Sequence, residues 1–200
     1  MSVFLGNGDG TFSAAQNTSL PVISGLGPYV LITADFNRDG KPDLAVTLSR
    51  DDAGPAGLAV LLGRGDGTFR SPAIYAVTSN SVATADVDGD GIPDLIACTA
   101  PVNAYPGVGY LLGNGDGTFQ PEVLLDPALV LTGDVGPVVT GDFNHDGRID
   151  IAGLSSAYTT EILLNLTQRS PGVSIVSAAS LSGSSLRDRS PRHSGRASPR

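Results

Sequence analysis

Three nine-residue stretches concentrate short carboxylates in one order: Asp35-Phe36-Asn37-Arg38-Asp39-Gly40-Lys41-Pro42-Asp43, Asp86-Val87-Asp88-Gly89-Asp90-Gly91-Ile92-Pro93-Asp94, and Asp142-Phe143-Asn144-His145-Asp146-Gly147-Arg148-Ile149-Asp150. Each has Asp at positions 1, 5 and 9, Asp or Asn at 3, and Gly at 6, where a tight turn is allowed. Like charges held within a few ångströms repel by roughly a kcal/mol or more per pair, even at an effective dielectric of 20. A divalent cation removes that penalty. Oxygen ligands without His or Cys select Ca2+ or Mg2+ over zinc or copper, and a flexible loop of many oxygens favours Ca2+. The expected ligands are the side chains of Asp35, Asn37, Asp39 and Asp43, of Asp86, Asp88, Asp90 and Asp94, and of Asp142, Asn144, Asp146 and Asp150.

By analogy with position 7 of an EF-hand loop, the carbonyls of Lys41, Ile92 and Arg148 complete each set, giving about three Ca2+ sites. An EF-hand itself is excluded. That motif needs a bidentate Glu at position 12, where this chain has Val46, Ala97 and Gly153, and it needs flanking helices. Asx capping of an Asp-rich turn would account for any one loop alone. Three copies keeping positions 1, 5, 6 and 9 argue for the cation. The central loop carries four Asp where its neighbours carry three Asp and an Asn, so it is expected to bind tightest.

The elements that position these loops are short and repeated. A second signature alternates with the first: Gly6-Asn7-Gly8-Asp9-Gly10-Thr11-Phe12, Gly63-Arg64-Gly65-Asp66-Gly67-Thr68-Phe69 and Gly113-Asn114-Gly115-Asp116-Gly117-Thr118-Phe119. Corresponding residues recur every 50 to 57 positions. Between the signatures lie apolar runs rich in β-formers: 29–33, 44–48, 58–62, 81–85, 95–99, 109–112, 138–141, 151–154 and 161–164. Their length and their Gly, Pro, Asp and Asn boundaries are those of strands. The Gly-rich signature supplies the positive φ angles of a chain reversal, after which its Phe points back to the core or a neighbouring unit. The unit reads strand, Asp loop, strand, variable loop, strand, Gly turn, strand, which is the size of one propeller blade.

Composition agrees. The 200 residues include 26 Gly and 14 Pro, too many for a helical bundle, and 40% apolar residues, enough for a core. Of 20 acidic residues all but Glu122 and Glu161 are Asp, the acid of turns. Residues 1–168 carry 19 acids against 6 bases, whereas 169–200 carry 6 Arg against Asp188. An acidic body argues against nucleic acid as a partner. The single Cys98 excludes an internal disulfide framework, and no signal peptide or stretch of transmembrane length is visible.

The two signatures together resemble the FG-GAP/VCBS repeats of integrin α-subunit-like β-propellers, over roughly residues 2–166. The resemblance implies four-stranded antiparallel blades with calcium in the loop between each blade's first and second strands. It also implies an extracellular or cell-surface, non-catalytic protein used for adhesion or ligand binding. The expected fold is an all-β, partial propeller of about three blades: a partial blade at 2–20 and blades at about 29–77, 81–125 and 137–166, with 13 strands in all. That is too few to close a ring, so the chain reads as a fragment whose open edges invite self-association. Residues 171–180 hold one further possible strand, and 169–200 as a whole reads as a Ser/Arg/Pro-rich, mostly disordered tail.

The expected partner is a protein or glycan contacted by variable loops such as 49–57 and 100–108, with no membrane insertion. The competing reading is a carbohydrate-binding or accessory segment of a larger secreted enzyme, for which Tyr105 and Tyr158 are the candidate stacking residues. Arg64-Gly65-Asp66 spells an adhesion tripeptide, but the parallel turns read Asn-Gly-Asp, which favours a structural turn. His145, in a loop, and His193, in the tail, have no nucleophile at a plausible spacing, so a catalytic triad has no support. The Gly-x-Gly runs are not phosphate cradles, because no helix pattern or Lys-Ser/Thr follows. Asn17-Thr18-Ser19 and Asn165-Leu166-Thr167 match the glycosylation pattern.

Overall fold

A computed structural model describes residues 1–18, 27–50, 54–77, 79–99, 107–125, 135–155, 160–165 and 175–178. Every regular element among them is a β-strand. β1 (Ser2–Val3) and β2 (Gln16–Asn17) form a two-stranded antiparallel pair. Three four-stranded antiparallel sheets follow. The first blade runs β3 (Gly27–Ala34), β4 (Asp43–Arg50), β5 (Gly54–Leu61), β6 (Ala73–Tyr75). The second runs β7 (Ser79–Ala85), β8 (Asp94–Thr99), β9 (Gly107–Leu111), β10 (Val123–Leu124). The third runs β11 (Val135–Gly141), β12 (Asp150–Ser155), β13 (Thr160–Asn165), β14 (Ile175–Ala178). In all three, sequence neighbours are sheet neighbours, and the sheets close no barrel: the chain is an all-β, partial β-propeller.

Seven of the nine apolar runs fall wholly within strands, and the other two, 58–62 and 109–112, overrun β5 and β9 by one residue each. The strand count departs from expectation at the C-terminal end. β14 pairs with β13, Ile162 opposite Ala178 and Asn165 opposite Ile175, and supplies the fourth strand of the third blade. That blade therefore extends past residue 166 and past the expected start of the tail at 169. Residues 179–200 lie outside the described residues.

The apolar runs are continuous because the middle strands are buried on both faces, and period-two alternation sends successive residues to different cores. On β8, Leu95 and Ala97 face a cluster shared with Phe36, Ala45, Leu58 and Val60 of the first blade. Ile96 and Cys98 face the opposite way, into a cluster shared with Val138 and Ile151 of the third. Blades are thus joined face to face. β7 packs on β3, β4 and β5, and β11 on β7 and β8. Burying a Leu such as Leu58 or Leu95 completely contributes roughly 1.5–3 kcal/mol.

Phe119, from the Gly turn of the second blade, crosses to the first. Its ring meets Phe36 edge-on at 5.3 Å and Tyr75 at 5.8 Å. Its N–H donates to the Tyr75 hydroxyl at 3.1 Å, and the Gly117 N–H donates to the Phe36 carbonyl at 3.2 Å. The expectation that this Phe points to a neighbouring unit holds at Phe119, whereas Phe12 is 67% exposed.

Cys98 is a small core residue, and burial pushes its thiol pKa up to about 12. A thiolate-directed reagent is therefore expected to leave the native protein unmodified and to label it once after unfolding. Prompt labelling of the native protein would contradict this placement. Among the described residues no helix is long and apolar enough to cross a membrane.

Candidate metal centre

Each Asp loop joins the first and second strands of its blade, between β3 and β4, β7 and β8, and β11 and β12. The three share one hydrogen-bond scheme. The position-5 N–H is divided between the side chains at positions 1 and 3: Asp39 donates to Asp35 (3.0 Å) and Asn37 (3.1 Å). Asp90 donates likewise to Asp86 (3.1 Å) and Asp88 (3.2 Å), and Asp146 to Asp142 and Asn144 (both 3.1 Å). The other oxygen of the first Asp accepts the position-6 glycine N–H, from Gly40, Gly91 or Gly147 at 2.8–3.0 Å. The position-7 N–H of Lys41, Ile92 or Arg148 donates to the position-5 carboxylate. Side-chain oxygens at positions 1 and 3 thereby meet at the same position-5 N–H.

The chain turns through the left-handed region twice in each loop. Gly40, Gly91 and Gly147 have φ of 79°, 81° and 82°. Position 4 does the same with Gly89 in the central loop, but with Arg38 (58°) and His145 (61°) in the others. The sequence gives no warning of this, because Arg and His at position 4 carry no signal for that conformation.

Position 9 does more than the sequence indicates. Asp43, Asp94 and Asp150 are buried at 0%, 1% and 0% exposure, and each uses both oxygens on backbone donors. Asp94 accepts from Val87 (2.9 Å) and Gly113 (2.8 Å), Asp43 from Phe36 (2.9 Å) and Gly63 (2.7 Å), and Asp150 from Phe143 (2.9 Å) and Asn165 (2.8 Å). One carboxylate thus staples the start of the loop to the end of the blade's third strand. Gly113 is required there, since a Cβ would lie 2.6 Å from the Pro93 carbonyl. In the third blade Asn165 stands where the Gly turn begins, and its amide donates to the Val87 carbonyl at 2.9 Å, as the Gly117 N–H does to Phe36.

The loops differ in charge. Beside the position-5 Asp, the first loop has Lys41 (3.5 Å to Asp39) and the third has Arg148 (3.3 Å to Asp146). Their Asn37 and Asn144 amides donate to the same carboxylates. The central loop has Ile92 and Asp88 at those positions, four Asp and no base. Among the described residues, it is here that three carboxylates come together, with oxygens of Asp86, Asp88 and Asp94 within 4.8 Å of one another. Desolvation raises the Asp94 pKa to about 6, with the Asp88 and Asp90 charges adding to the rise and the Gly113 and Val87 N–H bonds opposing it. Asp88 is raised as well, by desolvation first and then by Asp90 and Asp86. These all-oxygen donors fit a hard divalent cation.

The other candidates are placed as follows. Arg64 donates to the Phe69 carbonyl (2.7 Å), and Asp66 accepts from the Thr68 N–H and hydroxyl, as Asp9 and Asp116 do in their own turns. The tripeptide is built into a structural turn. His145 is exposed. Asn165 is 1% exposed and its amide is bonded, so it is not an accessible glycosylation acceptor, whereas Asn17 is exposed. Tyr105, Tyr158 and His193 lie outside the described residues, as do 51–53 of the variable loop at 49–57 and 100–106 of that at 100–108.

Four-stranded blades carrying an Asp loop between their first two strands define a partial propeller of repeated units. The chain carries FG-GAP-like repeats: residues 1–46 and 47–97 match the model of that repeat. The matched repeats are offset from the blades, since 1–46 takes in β1, β2, β3 and the start of β4. No curated protein matches. One solved structure similar to this chain is that of an Agrocybe aegerita lectin, whose title describes specific recognition of non-reducing terminal N-acetylglucosamine. Identity is 18% over 88% of this chain, with a TM-score of 0.38, and the match spans 60% of the lectin's chain.

Proposed function

We propose that the chain is a calcium-binding, non-catalytic propeller module that serves extracellular adhesion or ligand binding. The observation that carries this reading is the central loop, where Asp86, Asp88 and Asp94 converge within 4.8 Å and no base neutralises them. Asp86, Asp88, Asp90 and Asp94 would hold the ion there, with the Ile92 carbonyl. The flanking sets would be Asp35, Asn37, Asp39, Asp43 and the Lys41 carbonyl, and Asp142, Asn144, Asp146, Asp150 and the Arg148 carbonyl. Bound calcium supplies the positive charge that the crowded carboxylates lack. The chain's own residues fix the loop geometry through the shared N–H bonds and present one rim of the blades to a protein or glycan.

The charge difference ranks the sites. Lys41 and Arg148 already occupy the position-5 carboxylates of the flanking loops. The central loop is therefore expected to bind calcium tightest. Introducing a cation by Ile92→Lys should weaken it about tenfold or more, because one added unit charge a few ångströms from the ion costs over a kcal/mol at an effective dielectric of 20. Terbium luminescence titration of metal-stripped wild type and variant reads this. An unchanged tightest site in Ile92→Lys would contradict the ranking.

A further inference from the structure

We infer that copies of this chain associate head to tail, the Phe12 turn of one copy seating against the Phe143 loop of the next as Phe119 seats against Phe36 within the chain. The inference rests on a contact the molecule already makes. At the junction of the first two blades the loop presents three features to the neighbouring Gly turn: the Phe36 ring, the Phe36 carbonyl, and the Arg38 stem beside Gly115. The turn answers with Phe119, the Gly117 N–H and the open backbone of Gly115. By repeat position, Phe143 repeats the Phe36 ring and carbonyl, with His145 in the place of Arg38, and the turn features recur at Phe12, Gly10 and Gly8.

Both halves are preformed. In the turn, the Asn7 N–H donates to the Thr11 carbonyl at 3.0 Å, matching Asn114 and Thr118 at 2.9 Å. Gly8 and Gly10 have φ of 83° and 89°, against 75° and 87° at Gly115 and Gly117. In the loop, the Phe143 N–H donates to Asp150 at 2.9 Å, as Phe36 does to Asp43, and His145 repeats the left-handed φ of Arg38. Yet Phe36 and Phe119 are 1% and 8% exposed, whereas Phe143 and Phe12 are 44% and 67% exposed. The knob and its seat therefore stand uncovered at opposite ends of the same blade series. Val139 on β11 and Phe4 beside β1 are exposed as well, at 54% and 58%.

Because knob and seat are different surfaces, the contact is heterologous, and it adds copies in a row or ring without forming a self-complementary pair. It stands on the blade geometry and does not depend on the calcium reading.

The test uses Phe12→Asp and Phe143→Asp in the full chain, read by light scattering coupled to size exclusion across a dilution series. Both side chains are exposed, so both variants are expected to keep the wild-type melting temperature. Wild type should form a concentration-dependent series beyond the dimer, and each variant alone should be monomeric. Mixed, the two variants should give a one-to-one dimer and nothing larger, since one retains the seat and the other the knob. A monomeric wild type at every concentration would overturn the inference and leave these surfaces to other partners. Dimers of either variant alone, or a mixture that stays monomeric, would overturn it as well.

Discussion

Replacing Asp94 by Ala is expected to cost about 2–6 kcal/mol of folding stability, because it strips two buried backbone donors of their acceptor at roughly 1–3 kcal/mol each. The Val87 and Gly113 N–H groups both end on this carboxylate. The damage should be felt in two blades. Val87 begins the loop and packs toward the third blade, whereas the Gly turn that starts at Gly113 carries Phe119 into the first. Asp94→Asn should cost less, since it keeps one acceptor oxygen and removes a charge that Asp88 and Asp90 oppose. Urea unfolding in EDTA separates this structural role from any metal effect. An Asp94→Ala protein as stable as wild type in EDTA would refute the staple.

The second large effect is that of calcium on the melt. A ligand bound only by the native state adds RT ln(1 + [L]/Kd), about 2.7 kcal/mol per site at a hundredfold excess over Kd. For a chain of this size each kcal/mol moves the melting temperature by about 2–4 °C, so one saturated site should raise it by about 5–11 °C. Stripped protein should recover the shift on adding calcium and lose it again with chelator. Asp90→Ala should remove the central contribution and leave those of the flanking loops. An identical melt with calcium and with EDTA, on protein shown to be metal-free, would remove the support for calcium as a stabilising ligand.

Much of the fold was legible because the residues that make it are local. The nine apolar runs are strands because each is short, rich in β-formers and bounded by Gly, Pro, Asp or Asn. The Gly turns reverse the chain where their spacing says, with Gly63 bridged to Phe69 and Gly113 to Phe119. β14 was readable only as one possible strand. Ile175 and Val176 offer two apolar residues in a Ser-rich context, and its place is set by pairing with β13.

What escaped the sequence depends on distance in space. Asp43, Asp94 and Asp150 read as metal ligands alone, because their donors Gly63, Gly113 and Asn165 lie 15 to 20 residues away. Asn165 reads as a glycosylation site, because neither its burial nor its bond to Val87, 78 residues distant, leaves a local trace. Lys41 and Arg148 were visible only as position-7 residues offering carbonyls. That their side chains fold back onto Asp39 and Asp146 follows from the turn geometry, and it adds a difference in local cations to the difference in Asp count among the loops.

Isothermal titration calorimetry of metal-stripped protein with calcium tests the central claim most directly. The account predicts about three sites, one tighter than the other two, and loss of that tightest site in Asp88→Ala with the flanking two retained. No calcium heat from a folded, metal-free protein, or a tightest site that survives Asp88→Ala, would contradict it.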